Sequence, residues 1–147
     1  MQLKSPAFSQ NGVVPAKYTC DGQNISPPLQ IAETPENAKS LVLICDDPDA
    51  PGKTWTHWTV WNIDPTTTEI VEGTTLAGST QGVTDFGEVG YGGPCPPSGT
   101  HRYFFKLYAL DTMLNMSYQA KKEDIEKAMA GHVIDQAQLT GVYSRGR

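Results

Sequence analysis

Residues 40–63 read Ser-Leu-Val-Leu-Ile-Cys-Asp-Asp-Pro-Asp-Ala-Pro-Gly-Lys-Thr-Trp-Thr-His-Trp-Thr-Val-Trp-Asn-Ile. The first six residues are a continuous apolar run with β-branched members, the pattern of a strand buried on both faces. Pro48 and Pro51 then bracket a turn. Each fixes its own φ and biases the residue before it away from helical backbone. From Trp55 to Ile63 bulky residues occupy both alternating sets, which again predicts a strand covered on both sides. Asp64-Pro65 ends it. Pairing the two strands across the turn brings His57 back beside Asp47. Such an Asp–His pair would hold the imidazole in one orientation and raise its pKa.

Outward from this hairpin, His101 to Leu110 is aromatic-rich and predicts a third long strand. His101 and Tyr103 are two apart and share one face, while Arg102 points to the other. Arg102 is the natural partner for an Asp of the first turn. The loop Gly92-Gly93-Pro94-Cys95-Pro96-Pro97 is open at its glycines and stiff at its prolines. Residues 72–81, rich in Gly and Thr, read as loop. One helix is predicted from Lys122 to Gly131. Its apolar positions Ile125, Ala128, Met129 and His132 fall at i, i+3, i+4 and i+7, and Gly131 is the C-cap. One or two strands follow over 132–143. The expectation is a mainly β fold forming a single domain over residues 1–147.

The net charge of −5 and pI near 5.0 argue against nucleic acid, which needs clustered Lys and Arg. The densest basic spots, Lys121-Lys122 and Arg145-Gly146-Arg147, read as a solvated face and tail. No apolar run approaches the ~20 residues of a spanning helix. The first residues lack the apolar core of a signal peptide. Three cysteines, an odd number, without that signal predict reduced thiols in the cytoplasm. The alternatives are a Cys20–Cys95 pairing or a soft metal ligand. Cys45, at the end of an apolar run, reads as a small buried hydrophobe.

The chemistry-bearing residues are Asp47, Asp49, His57, His101 and Tyr103. His and Tyr donate hydrogen bonds to an anion without a permanent positive charge. One Asp can face the pocket while the other caps the turn. The competing reading is enzymatic: Asp47, His57 and His101 as a general acid–base set or a two-His-one-carboxylate metal site. No Gly-x-Ser-x-Gly nucleophile motif is present. Asp85-Phe86-Gly87 matches a kinase metal-binding tripeptide. The rest of that signature is missing, so it reads as a turn with Gly87 at a special backbone angle.

At these residues the sequence resembles the phosphatidylethanolamine-binding protein family, also called Raf kinase inhibitor-like proteins. Asp47-Pro48-Asp49-Ala50-Pro51 with His57-Trp58 is similar to its first signature. Tyr91-x-Gly93-Pro94-x-Pro96-Pro97-x-Gly99-x-His101-Arg102-Tyr103, then Tyr108-Ala109-Leu110-Asp111, is similar to its second. Tyr18 to Pro27 and Thr84-Asp85-Phe86-Gly87 add to the likeness, which is strongest toward the bacterial and archaeal branch. The resemblance implies a large antiparallel Greek-key sheet, a smaller second sheet and one or two short helices. It implies a cavity for phosphate or a phosphorylated headgroup, lined by Asp47, His57, Gly93, Pro97, His101 and Tyr103, with no cofactor. It further implies a homodimer and a kinase or protease as partner. Mammalian members close the cavity with a helix after the last strand, whereas here only four residues follow Tyr143.

Overall fold

A computed structural model describes residues 1–146. The Arg145–Arg147 basic spot therefore falls partly outside the described residues. Arg145 itself is paired with Asp21 at 2.9 Å.

The apolar run of the opening hairpin becomes β4 (Ser40–Asp47), and every one of its residues is buried. It lies between β5 (Trp55–Ile63) and β8 (His101–Leu110) in a six-stranded sheet. The sheet also contains β2 (Gly12–Val13), β7 (Thr80–Gln81) and β9 (Val133–Tyr143), in the order β2-β9-β8-β4-β5-β7. Strands β4, β5 and β7 are successive antiparallel neighbours, and β8 returns beside β4. That is the Greek-key order. Only the edge strand β2 pairs in parallel, with β9. A smaller sheet joins β1 (Gln2–Lys4), β3 (Leu29–Ala32) and β6 (Glu69–Ile70).

Alternation along β4 explains why it is buried throughout. Leu41, Leu43 and Cys45 face the small sheet, meeting Leu3, Leu29, Ile31 and Ile70. Val42 and Ile44 face the other way, into a cluster with Trp61, Ile125 and Met129. Ile125 and Met129 belong to α1 (Lys122–Met129), so the large sheet is sandwiched between a small sheet and a helix. Asn62 sits at φ +56°, and the β4–β5 register shifts there. Trp61 consequently faces the helix and Ile63, two residues on, faces the small sheet. The Asn62 side chain donates to the Leu114 carbonyl at 2.7 Å and accepts from its N–H at 2.8 Å, bonds that hold this turn in the backbone.

The helix ends earlier than its apolar spacing predicts. Its last residue is Met129, and Gly131 takes φ +82°. His132 therefore lies outside the helix, exposed, with Nδ1 2.7 Å from Asp111 Oδ1. Residues 133–143 form one long strand. No helix among the described residues is long and apolar enough to cross a membrane.

Candidate functional site

Asp47 closes β4 where the chain leaves the sheet for the proline turn. Its neighbour Asp46 points to the opposite face, as strand geometry requires. Asp46 receives Lys106 at 3.0 Å and Lys122 at 2.9 Å, tying α1 to the sheet. Asp47 instead serves the other side. One carboxylate oxygen accepts the Asp49 N–H at 2.7 Å, which caps the turn. The other lies 2.7 Å from Nδ1 of His101. Asp49 is taken by Arg102, whose N, Nε and Nη2 donate to it at 2.9, 2.9 and 2.8 Å. The Arg102 guanidinium holds the Asp49 carboxyl down at about 2. Turn and strand start are thereby locked together, Asp47 to His101 and Asp49 to Arg102.

The pairing of Asp47 with His57 expected from the hairpin does not form. The register runs Asp47 opposite Trp55 and Cys45 opposite Trp58, so an extra residue is accommodated at His57. Such a bulge re-aims a side chain. His57 Nδ1 lies 2.6 Å from the Gly92 carbonyl, while Gly92 N–H donates back to the His57 carbonyl at 2.9 Å. A carbonyl only accepts, so Nδ1 carries the proton and Nε2 is left for the cavity. By the same logic His101 donates Nδ1–H to Asp47 and keeps Nε2. Tyr103 stands between the two rings, 5.2 Å from His57 edge-on and 6.4 Å from His101 near-parallel.

Asp47, His57, His101 and Tyr103 are all buried, and they share a cavity of about 230 Å³. Pro97 is on its wall with Pro96, Cys95, Ala50 and Pro51. Trp55 and Phe86 complete the lining, and Phe86 is 43% exposed. Burial pushes the His57 pKa below 6.5, outweighing the Gly92 carbonyl and the more distant Asp47. Burial, reinforced by Asp47, pushes the Tyr103 hydroxyl well up, so it stays protonated and a donor. That hydroxyl is fully buried and has no protein partner among the described residues.

Gly93, the sixth residue expected on the cavity, stands behind the wall. Its N–H donates to Asn24 Oδ1 at 2.8 Å, and a Cβ there would collide with the Tyr18 carbonyl oxygen. Its bareness serves close packing of the 91–95 loop on residues 18–24. The same packing overturns the expectation of reduced thiols. Cys20 N–H donates to the Pro94 carbonyl at 3.1 Å, and Cys20 and Cys95 form a disulfide with Cα atoms 5.4 Å apart. Disulfides persist in oxidising compartments and in intracellular hyperthermophile proteins, so the cysteines no longer argue for the cytoplasm. Cys45 is the free thiol, buried in the core, its pKa raised by that burial.

Phe86 was not expected at the site. The tripeptide Asp85-Phe86-Gly87 does form a turn with Gly87 at φ +80°. Asp85 accepts the Thr56 N–H at 2.7 Å, which carries the Phe86 ring to within 5.3 Å of His57 and 5.5 Å of Trp55. The turn signal at Gly87 was the available clue. Among the described residues no three His, Cys, Asp or Glu are grouped as a metal site. Both histidines have committed Nδ1 to Asp47 or Gly92.

Known proteins share this arrangement of chain. A UPF0098 protein of Methanothermobacter thermautotrophicus is 56% identical over 99% of this chain and all of its own. A crystal structure of a phosphatidylethanolamine-binding protein homologue from Chlamydia trachomatis superposes with TM-score 0.94 at 44% identity, covering 98% of this chain and 97% of that one. Escherichia coli YbcL, described as a new member of the mammalian family, superposes with TM-score 0.92 at 33% identity, covering 97% of each chain. The family model for phosphatidylethanolamine-binding proteins matches residues 4–144. With the two-sheet fold and both signature loops in place, the chain belongs to the phosphatidylethanolamine-binding protein family.

Proposed function

We propose that this protein, acting as one domain, binds a small phosphate-like anion in the cavity between the proline turn and β8. The observation that carries the reading is Tyr103, which lines the same cavity as His57 and His101 and whose hydroxyl is a fully buried donor without a protein partner among the described residues. A buried donor left unpaired costs about 1–3 kcal/mol, which an anion oxygen would recover. The volume suits a headgroup of a few heavy atoms, below the roughly 300–1,000 Å³ of drug-sized pockets.

The binding is coupled to protons. In a neutral ring whose Nδ1 bears the hydrogen, Nε2 is an acceptor. An anion therefore binds either with its own P–O–H donating to Nε2 or with the imidazole protonated. An anion seated beside His57 raises the pKa that burial had lowered. The phosphate on a monoester would leave its substituent at the apolar rim of Trp55, Phe86 and Pro51. A kinase or protease partner would meet that rim, where Phe86 is exposed.

The enzymatic reading rests on the Asp47–His101 dyad, which has the form of an oriented general base. Among the described residues the cavity lining holds no Ser, Thr or reduced Cys for it to activate. Thermal denaturation with inorganic phosphate tests the binding reading. The melting temperature should rise with phosphate and not with chloride at equal ionic strength, and His101→Ala should abolish the rise. No phosphate-specific shift would sink it, and steady turnover of p-nitrophenyl phosphate lost in His101→Ala would favour the dyad.

A further inference from the structure

The Cys20–Cys95 bond plays no part in the binding chemistry above, yet Cys95 lines the cavity. The wall it belongs to, residues 91–100, has no regular secondary structure. Its first half is well tied down. Tyr91 Oη donates to the Tyr18 carbonyl at 2.7 Å, Gly93 N–H to Asn24, and Cys20 N–H to the Pro94 carbonyl. From residue 95 to residue 100 the situation differs. Among the described residues no hydrogen bond holds this segment to the rest of the molecule, and Pro96 and Pro97 have no N–H to offer. Among the described residues the disulfide is the one covalent or hydrogen-bonded tie on the half of the loop that forms the cavity wall, where Pro96 is buried by packing. Both cysteines are partly exposed, so the bond is within reach of a reductant.

We propose that the Cys20–Cys95 disulfide is a reversible redox site that controls the cavity: oxidised, it clamps the Cys95–Pro97 wall, and reduced, it frees that wall and weakens anion binding. This rests on the anion-binding reading of the cavity. The reductant is a dithiol. Its thiolate attacks Cys95 sulfur from the cavity side, forming a mixed disulfide as the Cys95–Cys20 bond breaks. Cys20 leaves as thiolate and takes a proton. The second dithiol sulfur then attacks its own partner sulfur, expelling Cys95 as thiolate and closing the reductant's disulfide. Two electrons and two protons pass to the protein. Linkage makes the effect reciprocal: if reduction weakens anion binding, a bound anion disfavours reduction by the same factor. An anion also blocks and repels the incoming thiolate.

The experiment uses the intact protein and dithiothreitol, with inorganic phosphate or chloride at matched ionic strength. Thiol release is followed by alkylation and mass, hydrogen exchange is measured on both redox forms, and each form is titrated with phosphate. Expected are slower reduction in phosphate, a phosphate affinity about tenfold weaker in the reduced form, and, beyond the general acceleration that loss of a cross-link brings, a larger acceleration at the hydrogen-bonded loop amides of Gly92 and Gly93. A Cys20→Ser/Cys95→Ser double variant should behave as the reduced form. Equal affinity in both forms with unchanged exchange at 91–100 would overturn the proposal. So would exchange that accelerates throughout the molecule with no excess at Gly92 and Gly93, which would make the bond a general staple. If the oxidised protein binds no phosphate, the anion reading fails, and the exchange arm alone decides whether the wall is redox-controlled.

Discussion

Replacing Asp47 examines the joint on which the cavity is built. Its carboxylate, buried to 3% exposure, accepts two hydrogen bonds, from His101 Nδ1 and from the Asp49 N–H, each 2.7 Å long. In Asp47→Ala the buried imidazole N–H loses its acceptor at a cost of about 1–3 kcal/mol, and the turn loses a bond worth roughly 1 kcal/mol. The sum is about 2–4 kcal/mol. At about 2–4 °C per kcal/mol for a chain of this size, the melting temperature falls by roughly 10 °C. Asp47→Asn separates the two parts. Its carboxamide oxygen can keep the turn, while its NH₂ faces His101. His101 must then accept at Nδ1 and move its proton to Nε2, at a cost of about 1 kcal/mol. Urea denaturation gives the energies, and nitrogen-15 NMR of the imidazoles reports the tautomer. The reasoning is refuted if Asp47→Ala lies within about 0.5 kcal/mol of the parent, or if Asp47→Asn leaves the His101 proton on Nδ1.

Gly93→Ala should destabilise by about 1–3 kcal/mol, because its methyl meets the Tyr18 carbonyl and Asn24; the urea midpoint, at constant slope, reports it. The folded His57 has a pKa below 6.5, so the unfolded chain binds the extra proton first. Its contribution to stability is therefore full above pH 6.5 and lost as pH falls through that value toward the folded pKa. Stability of His57→Gln, measured by urea between about pH 7 and pH 5, should decline less steeply than the parent's. Removing both Cys20 and Cys95 opens a cross-link spanning 75 residues, which by chain entropy costs about 4 kcal/mol and roughly 10 °C in melting temperature by calorimetry.

The three long strands were legible because each is set by its own residues. Bulky and β-branched side chains fill both faces of β4 and β5, and the aromatic run marks β8. The short strands β1, β2, β6 and β7, two or three residues each, carry no period to read and exist through their partners. At the site, a lock between Arg102 and an Asp of the turn was legible from strand alternation, and the structure makes that residue Asp49. The partner of Asp47 was not. A one-residue bulge at His57 hands the carboxylate to His101, and nothing in the local sequence marks the slip. The Cys20–Cys95 pairing stood in the sequence only as an alternative to reduced thiols, for a related reason. Its geometry is created by the fit of bare Gly93 against the Tyr18 carbonyl, a contact between segments far apart in the chain.

The most direct measurement is calorimetric titration of inorganic phosphate into the oxidised protein at about pH 5.5 and about pH 7.5, repeated with Tyr103→Phe and His101→Ala. The expected result is one site with a dissociation constant of about 1 mM or tighter. Binding should be stronger at the lower pH, with proton uptake visible as a buffer-dependent enthalpy, and weakened in both variants. Saturable binding that ignores pH and both substitutions, or no binding at either pH, would contradict the assignment of this cavity to an anion.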